Sequence, residues 1–139
     1  MDQSVIFMFS AVVIVGGLMI AAIGLSKNSS RRINVEHYRV KWLEIEQQLK
    51  RDEPGSFHLS VLNADKLLDS ALTQAGFRGQ TMADRLKSAA KQFSNRNAVW
   101  AAHKLRNQIA HESDVHVTYD NARSALAGFK QALKDIGAI

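Results

Sequence analysis

With 139 residues, the chain is long enough for one small domain and an appendage. It has no cysteine, which excludes a disulfide framework and any metal site built on thiolates. Its formal net charge is +5, and its mean hydropathy of -0.16 averages an apolar run near the beginning with a polar remainder. The composition therefore predicts two unlike regions.

Residues 5–25 form an uncharged, strongly apolar run. As a helix, this run is about 30 Å long, which matches the hydrocarbon core of a bilayer. A cleaved signal peptide is the alternative, but it needs a positively charged beginning and a shorter apolar segment. This chain starts Met-Asp-Gln-Ser. We therefore expect a retained single-pass anchor over residues 1–26.

The charges beside the apolar run predict its orientation. Asp2 precedes it, whereas Lys27, Arg31 and Arg32 follow it. Because basic residues favour the cytoplasmic side, we expect a cell-membrane protein whose C-terminal domain is cytoplasmic. Residues 27–34 are polar and predict a short juxtamembrane linker.

From residue 35 onward, apolar residues recur at spacings of three and four, as on one face of a helix. Pro54 with Gly55, Gly76, Thr81 with Asp84, and residues 94–97 separate the periodic segments. No alternating strand pattern of useful length occurs. The sequence predicts an all-α protein, in which an N-terminal transmembrane helix precedes an antiparallel four/five-helix bundle over residues 35–139.

The fourth predicted helix of the bundle, from about residue 98 to residue 111, is the most informative segment. Taking Leu105 as the centre of its buried face places His103 and Asn107 near the opposite, exposed side. On that exposed side, His103, Asn107 and His111 are spaced four residues apart. The pattern predicts a second contact surface, suited to a charged ligand or to a partner helix in a dimer.

The basic residues are concentrated in the stretch that leads into this helix. Residues 76–111 contain seven lysines and arginines and a single acidic residue, Asp84. A patch of this kind attracts polyanions such as RNA. A plain solvated face and attraction to anionic lipid are the alternatives.

The segment Arg106-Asn-Gln-Ile-Ala-His111 resembles the Arg-x4-6-His motif of the HEPN superfamily, in which a polar residue directly follows the arginine. The small helical bundle over about residues 36–139 is similar to that superfamily as well. The resemblance implies a metal-independent endoribonuclease that acts as a homodimer, with both motifs forming one composite cleft.

The same resemblance implies a role for each residue of the motif. His111 is expected to be the general acid or base, because an ordinary histidine changes charge near neutral pH. Arg106 is expected to hold the scissile phosphate, and Asn107 to orient the imidazole or the phosphate. The predicted RNA contacts are His103, Lys104, Arg96, Lys91 and Arg85. We expect no cofactor and no metal, since His103 and His111 lie about 12 Å apart along one helix.

One departure from the superfamily concerns regulation. Toxin members that are silenced by nucleotidylation carry a tyrosine two residues after the histidine, and this chain has Ser113 there. Other HEPN-like domains are not nucleases. The alternative function is therefore a non-catalytic module at the membrane that binds a protein or nucleotide, or serves as a scaffold.

Simpler structural roles remain open for several of these residues. His111 could interact with the helix dipole, and Arg106 could pair with Glu112 or Asp114. Asp65 and Asp69 share a helix face, and we expect both to be solvated.

Overall fold

A computed structural model of the chain describes residues 2–26 and 32–139. The chain divides into two compact units, one on each side of the boundary between residues 30 and 31. The first unit contains one helix, α1 (Gln3–Ser26). The segment Gln3–Ala21 has a mean hydropathy of 2.5, and none of it is buried. This confirms the predicted apolar helix, which is long and apolar enough to cross a membrane.

The second unit is built from helices α2–α6, and the part of it that the structure describes contains no strand. This confirms the predicted all-α class. A single 3-10 turn, Ala90–Gln92, follows α4. The helices are α2 (Val35–Gln48), α3 (Pro54–Gln74), α4 (Met82–Ser88), α5 (Arg96–His111) and α6 (Tyr119–Asp135).

Local sequence signals explain where these helices begin and end. The side chain of Thr81 accepts a hydrogen bond from the backbone N–H of Asp84, whose carboxylate in turn accepts from the N–H of Thr81, so the predicted capping pattern is confirmed. Asn95 caps α5 in a similar way by accepting from the N–H of Ala98. Gly76 ends the turn after α3 with a φ of 91°, a value that glycine adopts without strain.

Helix α3 lies at the centre of the bundle and packs against α2, α5 and α6. Tyr38 Oη lies 3.2 Å from Ser70 Oγ, which joins the beginning of α2 to the end of α3. The rings of Phe57 and Tyr119 meet edge to face near the beginnings of α3 and α6. Together these contacts show that α2 runs antiparallel to α3, whereas α6 runs parallel to it.

The last two helices form an antiparallel pair. Asp135, at the end of α6, accepts hydrogen bonds from the backbone N–H and the hydroxyl of Ser94, both 2.8 Å away and directly before α5. At the crossing of the two helices, a Cβ on Gly128 would lie 2.8 Å from the carbonyl oxygen of Ala98, so only glycine permits this approach. Consecutive long helices of the bundle therefore alternate in direction.

The predicted buried face of α5 is only partly correct: Ala102 is buried and Ile109 packs half-buried against the core as expected, but the rest of the face differs. Its buried residues are Val99, Ala102 and His103, whereas Ala101 is exposed and Leu105 is half-buried. The helix is turned by about a third of a revolution from the predicted orientation. A polar pairing explains the difference, because His103 faces inward to meet a carboxylate of α3.

Candidate functional site

Four polar side chains from α3 and α5 form a closed ring, which we call the polar ring: Asp65, His103, Asn107 and Arg106. Asp65 Oδ1 lies 2.7 Å from His103 Nδ1, and His103 Nε2 lies 3.2 Å from Asn107 Nδ2. Arg106 Nη1 donates to Asn107 Oδ1 at 3.0 Å. Arg106 Nε closes the ring 3.3 Å from Asp65 Oδ2.

Helical spacing and burial explain why the ring forms. Arg106 and Asn107 follow His103 by three and four residues, so the three side chains are neighbours on α5, with His103 and Arg106 directed to Asp65 of α3 and Asn107 at the edge of that side. The side chains of Asp65 and His103 are only 4% and 7% exposed. Burying a carboxylate is unfavourable unless it is hydrogen-bonded or paired, and here both oxygens of Asp65 have partners.

The ring specifies how protons are arranged on the imidazole. An ionised carboxylate only accepts hydrogen bonds, so Asp65 requires the proton on Nδ1 of His103. Nε2 then accepts from the Asn107 amide, whose oxygen accepts from Arg106. In this arrangement the donors on His103 Nδ1, Asn107 Nδ2 and Arg106 Nη1 each face an acceptor. These three contacts require His103 to carry a proton on Nδ1 and a lone pair on Nε2.

The guanidinium of Arg106 is contacted by Asp65 and Asn107 along its inner edge and is accessible along its outer edge. Its Nε is buried and forms an ion pair with Asp65. The geometry of this contact is not that of a hydrogen bond, so Nε has no hydrogen-bond acceptor within the described residues. Among the same residues, Nη2 makes no hydrogen bond, and 35% of the side chain is exposed. The inner edge of the guanidinium is thus anchored, while its outer edge can receive an anion.

His111 lies outside the polar ring. It is exposed in the last turn of α5, directly before Glu112 ends the helix. It follows Asn107 by four residues on the same side of the helix. The structure therefore brings together two of the three predicted catalytic residues, Arg106 and Asn107, and leaves His111 one turn further on. Arg106 pairs with Asp65 instead of Glu112 or Asp114.

A strip of side chains runs along the outer side of α5, and we call it the outer strip: Trp100, Lys104, Asn107 and His111. Their positions fall within about 60° of each other around the helix axis. Lys104 and His111 are exposed, and Trp100 and Asn107 are half-buried. Trp100, Lys104 and Asn107 line a shallow depression beside the ring. The strip combines an aromatic surface, a cation and an imidazole.

The predicted RNA contacts do not form one surface. Lys91 lies in the 3-10 turn and Arg96 at the beginning of α5, and both are exposed. Arg96 is about 22 Å from His111 along the helix axis. Lys104 lies between them on the outer strip. His103 is buried in the ring, so its predicted exposed position is wrong.

Arg85 is engaged within the fold. Its guanidinium donates two hydrogen bonds to Asp69, at 2.5 and 3.1 Å, and a third to the carbonyl of Gly79 at 2.7 Å. The hydrogen bonds to Asp69 raise the pKa of Arg85. This pairing fastens the connection between α3 and α4, and it argues against the predicted role of Arg85 as an RNA contact. Asp65 is buried, so the expectation that it is solvated is wrong, whereas Asp69 keeps 32% of its side chain exposed while it pairs with Arg85.

Asp65 is the site residue that the sequence analysis missed. It lies four residues after Val61 and three before Leu68, which are both fully buried. A carboxylate inside an apolar stripe is a signal of a buried partner, and it could have directed attention to a cation or a histidine elsewhere in the chain. No three His, Asp or Glu side chains among the described residues group together to hold a metal ion.

Neither protein-family models nor curated proteins nor solved structures match this chain. The resemblance to the HEPN superfamily therefore stays a prediction.

Proposed function

We propose that the chain is anchored in the cell membrane through α1 as a single-pass protein, with the helical domain in the cytoplasm and binding RNA along the outer strip. We further propose that two copies pair and cleave the bound RNA without a metal ion, as the HEPN resemblance implies. The observation that carries this proposal is the anchored guanidinium of Arg106, whose outer edge is accessible beside Asn107.

The polar ring supports RNA binding because it orients Arg106 before any ligand arrives. A guanidinium that is already held loses little conformational freedom when it binds a phosphate. Lys104 adds a second cation on the same strip, and the exposed part of Trp100 offers a surface on which a base can stack. An arginine, a lysine and an aromatic ring are the groups that single-stranded RNA contacts.

Cleavage by this site requires two imidazoles. One removes the proton from a ribose 2′-hydroxyl, whose oxygen then attacks the adjacent phosphorus. The other donates a proton to the departing 5′-oxygen, so that a cyclic phosphate and a free 5′-hydroxyl result. Within each chain, the outer strip supplies one exposed imidazole, His111. A second copy of the chain would supply the other, which is why we propose a homodimer.

A non-catalytic module that binds a protein or nucleotide is the second candidate. One specific observation favours it: Arg106 and Asn107 are both engaged in the ring with Asp65, which is typical of a structural network. Under this hypothesis the outer strip captures its ligand and does not change it.

The decisive experiment uses the full chain in detergent with an RNA oligonucleotide and EDTA. We expect cleavage that is lost in His111→Asn and in Arg106→Ala, with helicity retained. His116→Asn is the matched control, because His116 is an exposed histidine outside the strip. Cleavage that persists in His111→Asn would contradict the nuclease proposal. RNA binding without cleavage would support the RNA-binding part of the proposal and contradict the nuclease part, and the absence of both would contradict the RNA proposal altogether and favour the second candidate.

Membrane anchoring has its own test. The full chain should resist extraction by alkaline carbonate, and a protease added outside intact cells should leave the helical domain uncut. Release by carbonate would show that α1 does not cross the bilayer.

A further inference from the structure

The two ends of the helical bundle differ in charge. The beginnings of α2 and α5 lie at the same end as the ends of α3 and α6, as the Tyr38–Ser70, Phe57–Tyr119 and Ser94–Asp135 contacts together show. We call this the basic end. The opposite end contains the connection from α2 to α3 and the segment that joins α5 to α6.

The basic end presents cations that are not paired. Six exposed lysines and arginines lie there, and none forms an ion pair within the described residues. They come from four helices and from the segments next to α4, so the fold gathers them from distant parts of the chain. The six residues are Arg39, Arg78, Lys87, Lys91, Arg96 and Lys134.

The acidic residues at the basic end are mostly engaged in contacts within the fold. Asp69 binds Arg85, Asp84 caps α4, and Asp135 accepts from Ser94. Only Glu36 lacks such a contact among the described residues. The cations are therefore free to meet an external partner, whereas three of the four carboxylates are not.

The opposite end has the reverse balance. Exposed acidic residues outnumber basic ones there, and Lys50 already pairs with Glu53. Arg51 lies over the ring of Tyr119, with 4.3 Å between its Cζ and the ring centroid. The exposed acidic residues are Asp52, Glu53, Glu112, Asp114 and Asp120. The domain is thus polarised along its long axis.

The linker joins the helical bundle at the basic end. The chain enters the bundle at Val35, and Val35 is at the basic end. Eight positions, 27–34, separate α1 from α2, and even a fully extended segment of that length reaches only about 28 Å. A linker of this length keeps the first residue of α2, at the basic end, within reach of a bilayer that α1 crosses.

The arrangement of the cations suits a surface better than a strand of RNA. They are distributed over several helices, and among the described residues of the basic end no phenylalanine, tyrosine or tryptophan is exposed: Tyr38 and Phe93 are buried, Phe77 is half-buried, and His37 is the exposed imidazole. Anionic headgroups form an extended negative plane that attracts basic residues within about 8–10 Å at physiological salt.

We propose that the basic end docks on the anionic phospholipid headgroups of the bilayer that α1 crosses. This inference rests on the proposed membrane anchoring. It leaves Lys104, Arg106 and His111 of the site on α5 for RNA and assigns Lys91 and Arg96 to lipid. Under this proposal the basic end contacts the headgroups, and the opposite, acidic end is directed away from the membrane.

The test uses the full chain in nanodiscs of neutral lipid and in nanodiscs that contain an anionic phosphatidylglycerol. Because the chain has no cysteine, a fluorescent donor can be attached through Gln92→Cys at the basic end or Ser113→Cys at the opposite end. Energy transfer to acceptor-labelled lipid headgroups reports the distance of each position. We expect greater transfer from position 92 in anionic discs, lost at 1 M salt, and little change from position 113.

Charge reversal makes the test specific. Lys87→Glu, Lys91→Glu and Arg96→Glu together should reduce the transfer from position 92 to the level of neutral discs. The matched control is Lys50→Glu, Lys66→Glu and Arg123→Glu, which changes the charge equally at exposed positions elsewhere, and it should leave the transfer unchanged.

Three results would overturn the proposal. Equal transfer in neutral and anionic discs would exclude docking on charged headgroups, and equal effects of the two triple variants would show a response to net charge alone. A basic-end variant that loses RNA binding but keeps its transfer would identify this surface as an RNA site. A chain that carbonate extracts would instead refute the anchoring on which the inference depends.

Discussion

Asp65 on α3 and His103 on α5 are joined by a contact of 2.7 Å between Oδ1 and Nδ1, and both side chains are almost completely buried. This contact orients α5 about its own axis. It also places Arg106 next to the second carboxylate oxygen, so that one buried acid holds both the imidazole and the guanidinium. The orientation of the proposed RNA-binding arginine thus depends on a residue 41 positions earlier in the chain.

Replacing Asp65 should destabilise the domain and release Arg106. In Asp65→Asn, the amide has no charge to offset the guanidinium, and one of its N–H groups faces a donor in the ring. We expect the free energy of unfolding to fall by about 2–4 kcal/mol, measured by urea denaturation. Asp52→Asn is the control, because Asp52 is exposed in the connection between α2 and α3. An unchanged urea midpoint in Asp65→Asn would show that the ring does not stabilise the fold.

The protonation of His103 can be observed directly. The hydrogen bonds of the ring require a proton on Nδ1 and a lone pair on Nε2. Nitrogen-15 NMR of the imidazole side chains should show this tautomer for His103, with slow exchange of the Nδ1 proton because the site is buried. Exposed His116 should exchange rapidly. A proton on Nε2 of His103 would contradict the arrangement of donors and acceptors described above.

Glu46 should make the stability of the bundle depend on pH. The ammonium of Lys130 donates a hydrogen bond to the Glu46 carboxylate at 2.7 Å, and this contact lowers the pKa of Glu46. Burial acts in the opposite direction but is outweighed. Trp42 Nε1 donates a second hydrogen bond to the same carboxylate at 2.7 Å. A carboxylate whose pKa is lower in the folded chain stabilises the fold at pH values above its pKa in the unfolded chain, about 4.3 for glutamate. This stabilisation is lost as the pH falls through the pKa of the folded chain.

In Glu46→Gln we therefore expect lower stability at pH 7 and a difference from the unmodified chain that shrinks towards pH 3. Urea midpoints at several pH values measure it. Glu36→Gln is the control on the same helix, since Glu36 is exposed and forms no ion pair with the described residues. A difference that stays constant with pH would mean that the lysine does not act on the charge of Glu46.

The close approach of α5 and α6 depends on Gly128. A Cβ there would lie 2.8 Å from the carbonyl oxygen of Ala98 and 3.1 Å from its carbon, and this backbone cannot move aside as a flexible side chain can. Gly128→Ala should lower the free energy of unfolding by about 2 kcal/mol. The matched substitution is Gly55→Ala, where the added methyl group meets no atom within 4 Å. Equal thermal midpoints for the two variants would contradict this account.

Helix positions and ends could be predicted because their causes are local. The spacing of apolar residues, the capping pair Thr81 and Asp84, and the break before α5 all act over a few residues. Even so, α5 begins at Arg96, two residues earlier than expected, because Asn95 caps it. The apolar run over residues 5–25 likewise predicts the helix observed as α1.

The site was only partly predictable. The spacing of Arg106, Asn107 and His111 is visible in the sequence, and Arg106 and Asn107 do meet. The role of Asp65 is not visible in this spacing, because a helical pattern treats histidine and aspartate as solvent-facing residues. Asp65 and His103 depart from that pattern because each supplies the hydrogen-bond partner that allows the other to be buried.

The sequence by itself determined that the chain has an apolar helix followed by a helical bundle, and approximately where each helix lies, since these follow from side-chain periodicity and from capping over one or two turns. Only the tertiary structure decided which face of α5 packs inward, which carboxylate holds Arg106, and that cations from separate helices gather at one end. These features join residues far apart in the chain, and their free energies depend on burial and pairing that no local pattern records.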